Sequence, residues 1–96
     1  MAKATLIVYE RRIDATAGIM EIKVWRVPNP VRPSAHEYKY SLFYGRRGLR
    51  LVGFDNEQGK GDHMHVAGVE KPYSFASLDQ LLVDFFAEVR KAGDEP

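Results

Sequence analysis

The sequence predicts an α+β domain: a four- to five-stranded antiparallel meander with one C-terminal helix packed on one face. Three observations predict it. Met20, Ile22 and Val24 alternate with Glu21 and Lys23, the period-two pattern of a strand with one buried face. Similar short runs rich in β-branched and aromatic residues recur between residues 5 and 66, separated by Gly, Pro and Asp. Leu78, Leu81, Leu82, Phe85, Phe86 and Val89 then fall at helical spacing, and their apolar stripe has only the sheet to bury itself against.

The elements follow in order. Leu6 to Tyr9 are strand formers and centre a first strand over residues 5–11, closed by the turn chemistry of Asp14, Thr16 and Gly18. The second strand covers 19–27; Trp25 and Val27 fall on its wet face, which implies that this face is partly covered. Pro28, Pro30 and Pro33 each remove a backbone donor, so this stretch is an extended loop. In a third strand over 36–44, Tyr38, Tyr40, Leu42 and Tyr44 share one face and form core. Lys39 and Phe43 share the other, where Phe43 is a candidate for stacking on a base. A glycine-flanked hairpin at 45–48 leads into a fourth strand over 49–54. Residues 55–62 read as a loop, 63–66 as a short fifth strand that Ala67 and Gly68 end. Ser77 is the N-cap of a helix over 78–92, with Gln80 in capping-box position and Gly93 as its C′ residue. The whole chain, 1–96, forms a single domain in this account.

Composition bounds the function. The chain has 96 residues and no cysteine, which excludes disulfide stapling and a cysteine-based zinc site. Its apolar run near the N-terminus is too short for a signal peptide, and no run approaches the length of a bilayer span, so a cytoplasmic protein with no membrane partner is expected. The net charge of +1 predicts no partner, but its distribution is uneven. Residues 1–76 carry twelve Lys and Arg against eight Asp and Glu, whereas residues 77–96 carry two against five. A basic sheet half of this kind favours a polyanion.

The densest reactive chemistry lies between Asp55 and His65. His63 and His65, two residues apart on an extended segment, project to the same side, where a pair of imidazoles can act as general base and general acid near neutrality. Lys60 stands between Gly59 and Gly61, whose flexible backbone lets an anion approach closely. Asp62 is placed to orient one imidazole. Arg46, Arg47 and Arg50, on the adjoining hairpin, are candidates for holding substrate phosphate. These parts suit metal-independent RNA cleavage with no cofactor. The alternative is a metal site: Asp55, Glu57 and Asp62 could hold Mg²⁺ for phosphodiester hydrolysis, and the histidines with Asp62 or Asp55 could hold Zn²⁺ or Mn²⁺. The lysine lacks the spacing of a Walker motif.

Phe54-Asp55-Asn56, then Gly59-Lys60-Gly61-Asp62-His63-Met64-His65, then Glu70-Lys71-Pro72-Tyr73-Ser74-Phe75 running into Leu81-Leu82 and Asp84-Phe85, resembles the small TumE-type toxins of toxin–antitoxin pairs. The resemblance covers roughly residues 38–90 and is most specific at Gly59, Lys60, Gly61, His63 and His65. It implies a helix-turn-helix antitoxin as partner and, since small toxins of such systems are commonly ribonucleases, RNA as substrate. The rival expectation is a non-catalytic module whose open sheet face or edge recruits a protein or a second copy of the chain as a homodimer, with Trp25 rather than the histidines carrying the function.

Overall fold

Alternation along the strands sorts the side chains onto two faces of a sheet, and among the described residues the helix covers one of them. The computed structural model describes residues 3–94. The elements are β1 (Thr5–Ile13), β2 (Ile19–Arg26), β3 (Tyr38–Arg46), β4 (Leu49–Glu57), β5 (Gly61–Val66), β6 (Val69–Pro72) and α1 (Leu78–Asp94). The strands form one antiparallel sheet in chain order, β1-β2-β3-β4-β5-β6. Ile22, Val24, Tyr40, Leu42, Tyr44, Val52 and Phe54 meet Leu81 and Phe85 of α1 in the core, with Phe54 edge-on to the Phe85 ring at 5.9 Å. Met1, Ala2, Glu95 and Pro96, including the end of the acidic C-terminal stretch, lie outside the described residues. Among the described residues, no helix is long and apolar enough to cross a membrane.

The α+β class and the C-terminal helix match expectation, but the sheet has six strands rather than four or five. Ala67 and Gly68 end the fifth strand as expected, but with φ of 53° and 79° they also turn the chain back into a sixth. β6 escapes the sequence because its four residues are all exposed and carry no apolar alternation, and Pro72 is tolerated on an edge strand. Arg47 and Gly48, with φ of 55° and 75°, make the same kind of two-residue turn between β3 and β4.

The loop expected over 55–62 contracts to 58–60, because β4 continues to Glu57 and β5 starts at Gly61. That change sets Asp55, Glu57, Asp62, His63 and His65 at fixed sheet positions. The first strand runs on to Ile13 before its turn. There Asp14 Oδ1 accepts from the Thr16 and Gly18 amides at 2.8 Å each, and Oδ2 accepts from the Tyr44 hydroxyl at 2.6 Å. The Tyr44 bond, ahead of those from Thr16 and Gly18, holds the Asp14 carboxyl well below the usual carboxylate range. The third strand starts at Tyr38, not at 36. His36 instead turns its Nδ1 to accept from the Tyr38 amide at 3.1 Å, a local bond that competes with the ladder.

Ser77 caps α1 as expected, its Oγ accepting from the Gln80 amide at 3.0 Å. The reciprocal half of the capping box is absent: the Gln80 side chain reaches forward to Asp84 Oδ1 at 2.7 Å. The helix also passes through Gly93 instead of stopping before it. Phe86, at the rim of the apolar stripe, stays 40% exposed.

Candidate functional site

Asp62 and His63 take opposite faces of β5, as neighbours on a strand must. On the face that α1 covers, Asp62 Oδ1 accepts from His36 Nε2 at 2.8 Å and from the Tyr40 hydroxyl at 2.7 Å, and Oδ2 from the Ser34 hydroxyl at 3.1 Å. Because His36 Nδ1 is already an acceptor, Nε2 carries the proton it gives to Asp62. The His36 ring stacks on Phe75 with centroids 3.7 Å apart. Burial first, and then the bond to Asp62, push the Tyr40 hydroxyl far above its ordinary pKa. Asn56 completes this layer: wholly buried, it accepts from the Tyr40 amide at 2.9 Å and donates to the Tyr38 carbonyl at 2.8 Å. Asp62, expected to orient one of the paired imidazoles, instead fastens the 27–37 connection to the sheet.

His63 and His65 both lie on the opposite, open face, with ring centroids 6.2 Å apart. Asp55 stands directly across from His63 in register, and its Oδ1 contacts His63 Nε2. That oxygen is buried and makes no hydrogen bond of good geometry, so it stands against His63 as a close contact that becomes an ion pair only when the imidazole is protonated. His63 Nδ1 is bound to the Gly61 carbonyl at 3.0 Å, which fixes this nitrogen as the N–H donor. His65 stands across from Glu70 on β6, with Nε2 at 3.2 Å from Glu70 Oε2. Glu70 Oε1 contacts Lys60 Nζ and lies 3.8 Å from His63 Nε2. The Lys60 bond lowers the Glu70 pKa, and the Glu70 bond raises that of Lys60. The histidines differ in access: the His63 side chain is 6% exposed, that of His65 24%. A shallow hollow of about 200 Å³ opens at the sheet edge beside His63, lined by Lys60, Asp62, His63, Glu70, Lys71 and Pro72, with His65 outside it. Larger hollows elsewhere contain neither His63 nor His65.

The remaining expected site residues divide. Arg46 donates to the Tyr44 hydroxyl at 2.9 Å and so belongs to the helix side, and Arg47 is exposed in its turn. Arg50 alone is brought to the histidine side. A Cβ on Gly53 would lie 3.0 Å from Arg50 Cδ, so the arginine side chain lies over Gly53, and Gly53 is the register partner of His65. The Gly59 and Lys60 amides do not form an open anion cradle, because they already bond the Arg32 carbonyl at 2.7 Å and the Glu57 carbonyl at 3.0 Å. Gly61 has φ of 78° and packs close to Pro33, a structural demand for glycine.

Asp55, Glu57 and His63 offer ligand atoms that all lie within 4.8 Å of one another. This group replaces the expected carboxylate set, since Asp62 is on the other face. Sequence reasoning missed Glu70 and Gly53. Had Ala67-Gly68 been taken as a hairpin turn, period-two pairing would have set Glu70 opposite His65.

No curated protein and no solved structure matches the chain. A family model described as Toxin TumE matches residues 4–92. That match takes in all six strands and all but the last two residues of the helix, along with the histidine face they build, and the chain belongs to the TumE toxin family, the toxin component of a toxin–antitoxin pair.

Proposed function

We propose that the protein is a toxin that cleaves RNA by proton transfer through His63 and His65. The observation that carries this reading is the convergence of the two imidazoles on one open face, each with Nε2 against a carboxylate and with Lys60 alongside. One imidazole takes the proton of a ribose 2′-hydroxyl as its oxygen bonds to phosphorus. The P–O5′ bond breaks, and the other imidazole gives a proton to O5′. A 2′,3′-cyclic phosphate and a 5′-hydroxyl result. Glu70 orients His65 through Nε2 and leaves its Nδ1 for the substrate, whereas His63, whose Nδ1 is tied to the Gly61 carbonyl, exchanges its proton at Nε2, with the substrate oxygen taking the place of Asp55. Arg50 and Lys60 face the phosphate. RNA and an antitoxin, here of helix-turn-helix type, are then the two partners.

A second reading rests on Asp55, Glu57 and His63. Two carboxylates and one imidazole suit Mg²⁺, Mn²⁺ or Zn²⁺, and a cation there would activate water for phosphodiester hydrolysis. Asp55, Glu57 and Glu70 outnumber Lys60 and Arg50 around the pair, an excess of negative charge that either imidazolium or a divalent cation offsets.

One experiment separates the two. Purified toxin is incubated with RNA, with and without EDTA. Cleavage that survives EDTA, yields cyclic phosphate ends and falls about 10²- to 10⁴-fold in His65→Ala supports acid–base chemistry. Cleavage abolished by EDTA and restored by one metal transfers the role to the metal group. Growth inhibition without any RNA cleavage sinks both.

A further inference from the structure

Among the described residues, nothing packs on the sheet face opposite α1, and two complete rows of side chains cross it. One row runs Tyr9, Lys23, Ser41, Asp55, His63, Pro72; the next runs Arg11, Glu21, Phe43, Gly53, His65, Glu70. Trp25, paired with Lys39, heads a third. Four interstrand spacings, about 19 Å, separate β1 from the histidines on β5. We propose that this face is a track for single-stranded RNA, with bases stacking on Trp25, Tyr9 and Phe43 and the backbone delivered to His65. The inference rests on the RNA-cleaving reading and adds to it the form of the substrate and the path it takes.

Charge separates along the track. On the β1–β3 side Arg11 and Lys23 share the single carboxylate of Glu21 and Lys39 Nζ donates to the Asn56 carbonyl, so cations outnumber carboxylates three to one there, while the carboxylates gather around the histidines on β4–β6. Phosphates are therefore held on the first half, and the two halves meet at Gly53. There the missing side chain leaves room for the Arg50 side chain to lie across the sheet, between Phe43 on one side and His65 on the other. A backbone that follows the cations ends its path at that arginine, beside the more accessible histidine.

The face suits RNA better than a protein partner. Its aromatic residues are separated by lysines, and interface cores are depleted in lysine. An open array of separate rings and cations is what a stacking platform for unpaired bases requires. Duplex RNA keeps its bases stacked inside the helix and offers them no partner here.

Trp25 is the only tryptophan, so its fluorescence reports directly on this face. The full chain is titrated with a 2′-O-methyl RNA oligonucleotide of roughly eight nucleotides, which binds but cannot be cut through its 2′-oxygen. Saturable quenching of Trp25 is expected, with duplex RNA giving none. Phe43→Leu should weaken binding about 10-fold by removing one stack. Arg50→Gln should weaken it and reduce the salt-dependence slope by about 0.7, the value for one phosphate contact on a single strand. Circular dichroism of each variant checks that it folds. Unmodified RNA is tested for cleavage in parallel. Cleavage with Trp25 emission unchanged overturns the track and leaves the ribonuclease reading standing; quenching without cleavage upholds the track and removes that reading. Equal quenching by duplex RNA, or quenching by the antitoxin alone, overturns the track.

Discussion

Asp62 and His63 are adjacent in sequence and serve opposite faces of one strand. The Asp62 carboxylate accepts from His36, Tyr40 and Ser34 beneath the helix, while His63 meets Asp55 on the open side. One peptide unit therefore separates a structural anchor from the chemistry, and the two carboxylates should differ in what their loss does.

Asp62→Ala should destabilise the fold by about 3 kcal/mol, because it leaves the buried Tyr40 hydroxyl without an acceptor and frees the 27–37 connection. Asp55→Ala should lower the unfolding free energy by clearly less, about 1 kcal/mol, yet lower RNA cleavage at least about 10-fold. Urea unfolding beside an activity assay checks both. Equal stability losses in the two variants would contradict this division of labour.

Gly53→Ala should raise KM several-fold with little change in kcat. The new methyl would sit 3.0 Å from Arg50 Cδ and so lift the guanidinium off the sheet, while the imidazoles keep their partners. Arg50→Gln should give the same KM effect, and the double variant should add little to it. A fall in kcat at constant KM would point instead to a disturbed His65.

Stability should fall on the alkaline side because of Tyr40. Its pKa is raised in the fold by burial and by Asp62, so the folded state keeps a proton that the unfolded chain gives up. The stabilising contribution is complete below the ordinary tyrosine pKa of about 10 and is lost as pH rises above it. Tyr73, raised by burial and by its bond to Asp84, acts in the same direction. Asp14 works oppositely: its lowered pKa stabilises above about pH 4 and the benefit is lost as pH falls below that. Urea midpoints of Tyr40→Phe against pH should show a shallower decline above pH 10 than the parent. An unchanged slope would remove Tyr40 from the account.

Local pattern determined a good part of this protein. Period-two alternation in β2 and β3 identified the core faces, and 3.6-residue spacing from Leu78 to Val89 identified the helix and the stripe it buries. The same alternation set His63 and His65 on one side. Each of these is a property of neighbouring residues along one chain segment, and that is why the sequence alone contains it. Tertiary structure decided the partners. Asp55 meets His63 and Glu70 meets His65 only because three strands pair in one particular register, and Arg50 lies over Gly53 beside the register shift in the β3–β4 ladder. Register depends on turns such as Ala67-Gly68, whose two positive φ values add a sixth strand that carries no hydrophobic signal of its own. A shift of one residue would move every one of those side chains to the other face, so the open site is fixed by long-range pairing and the core beneath it by local alternation.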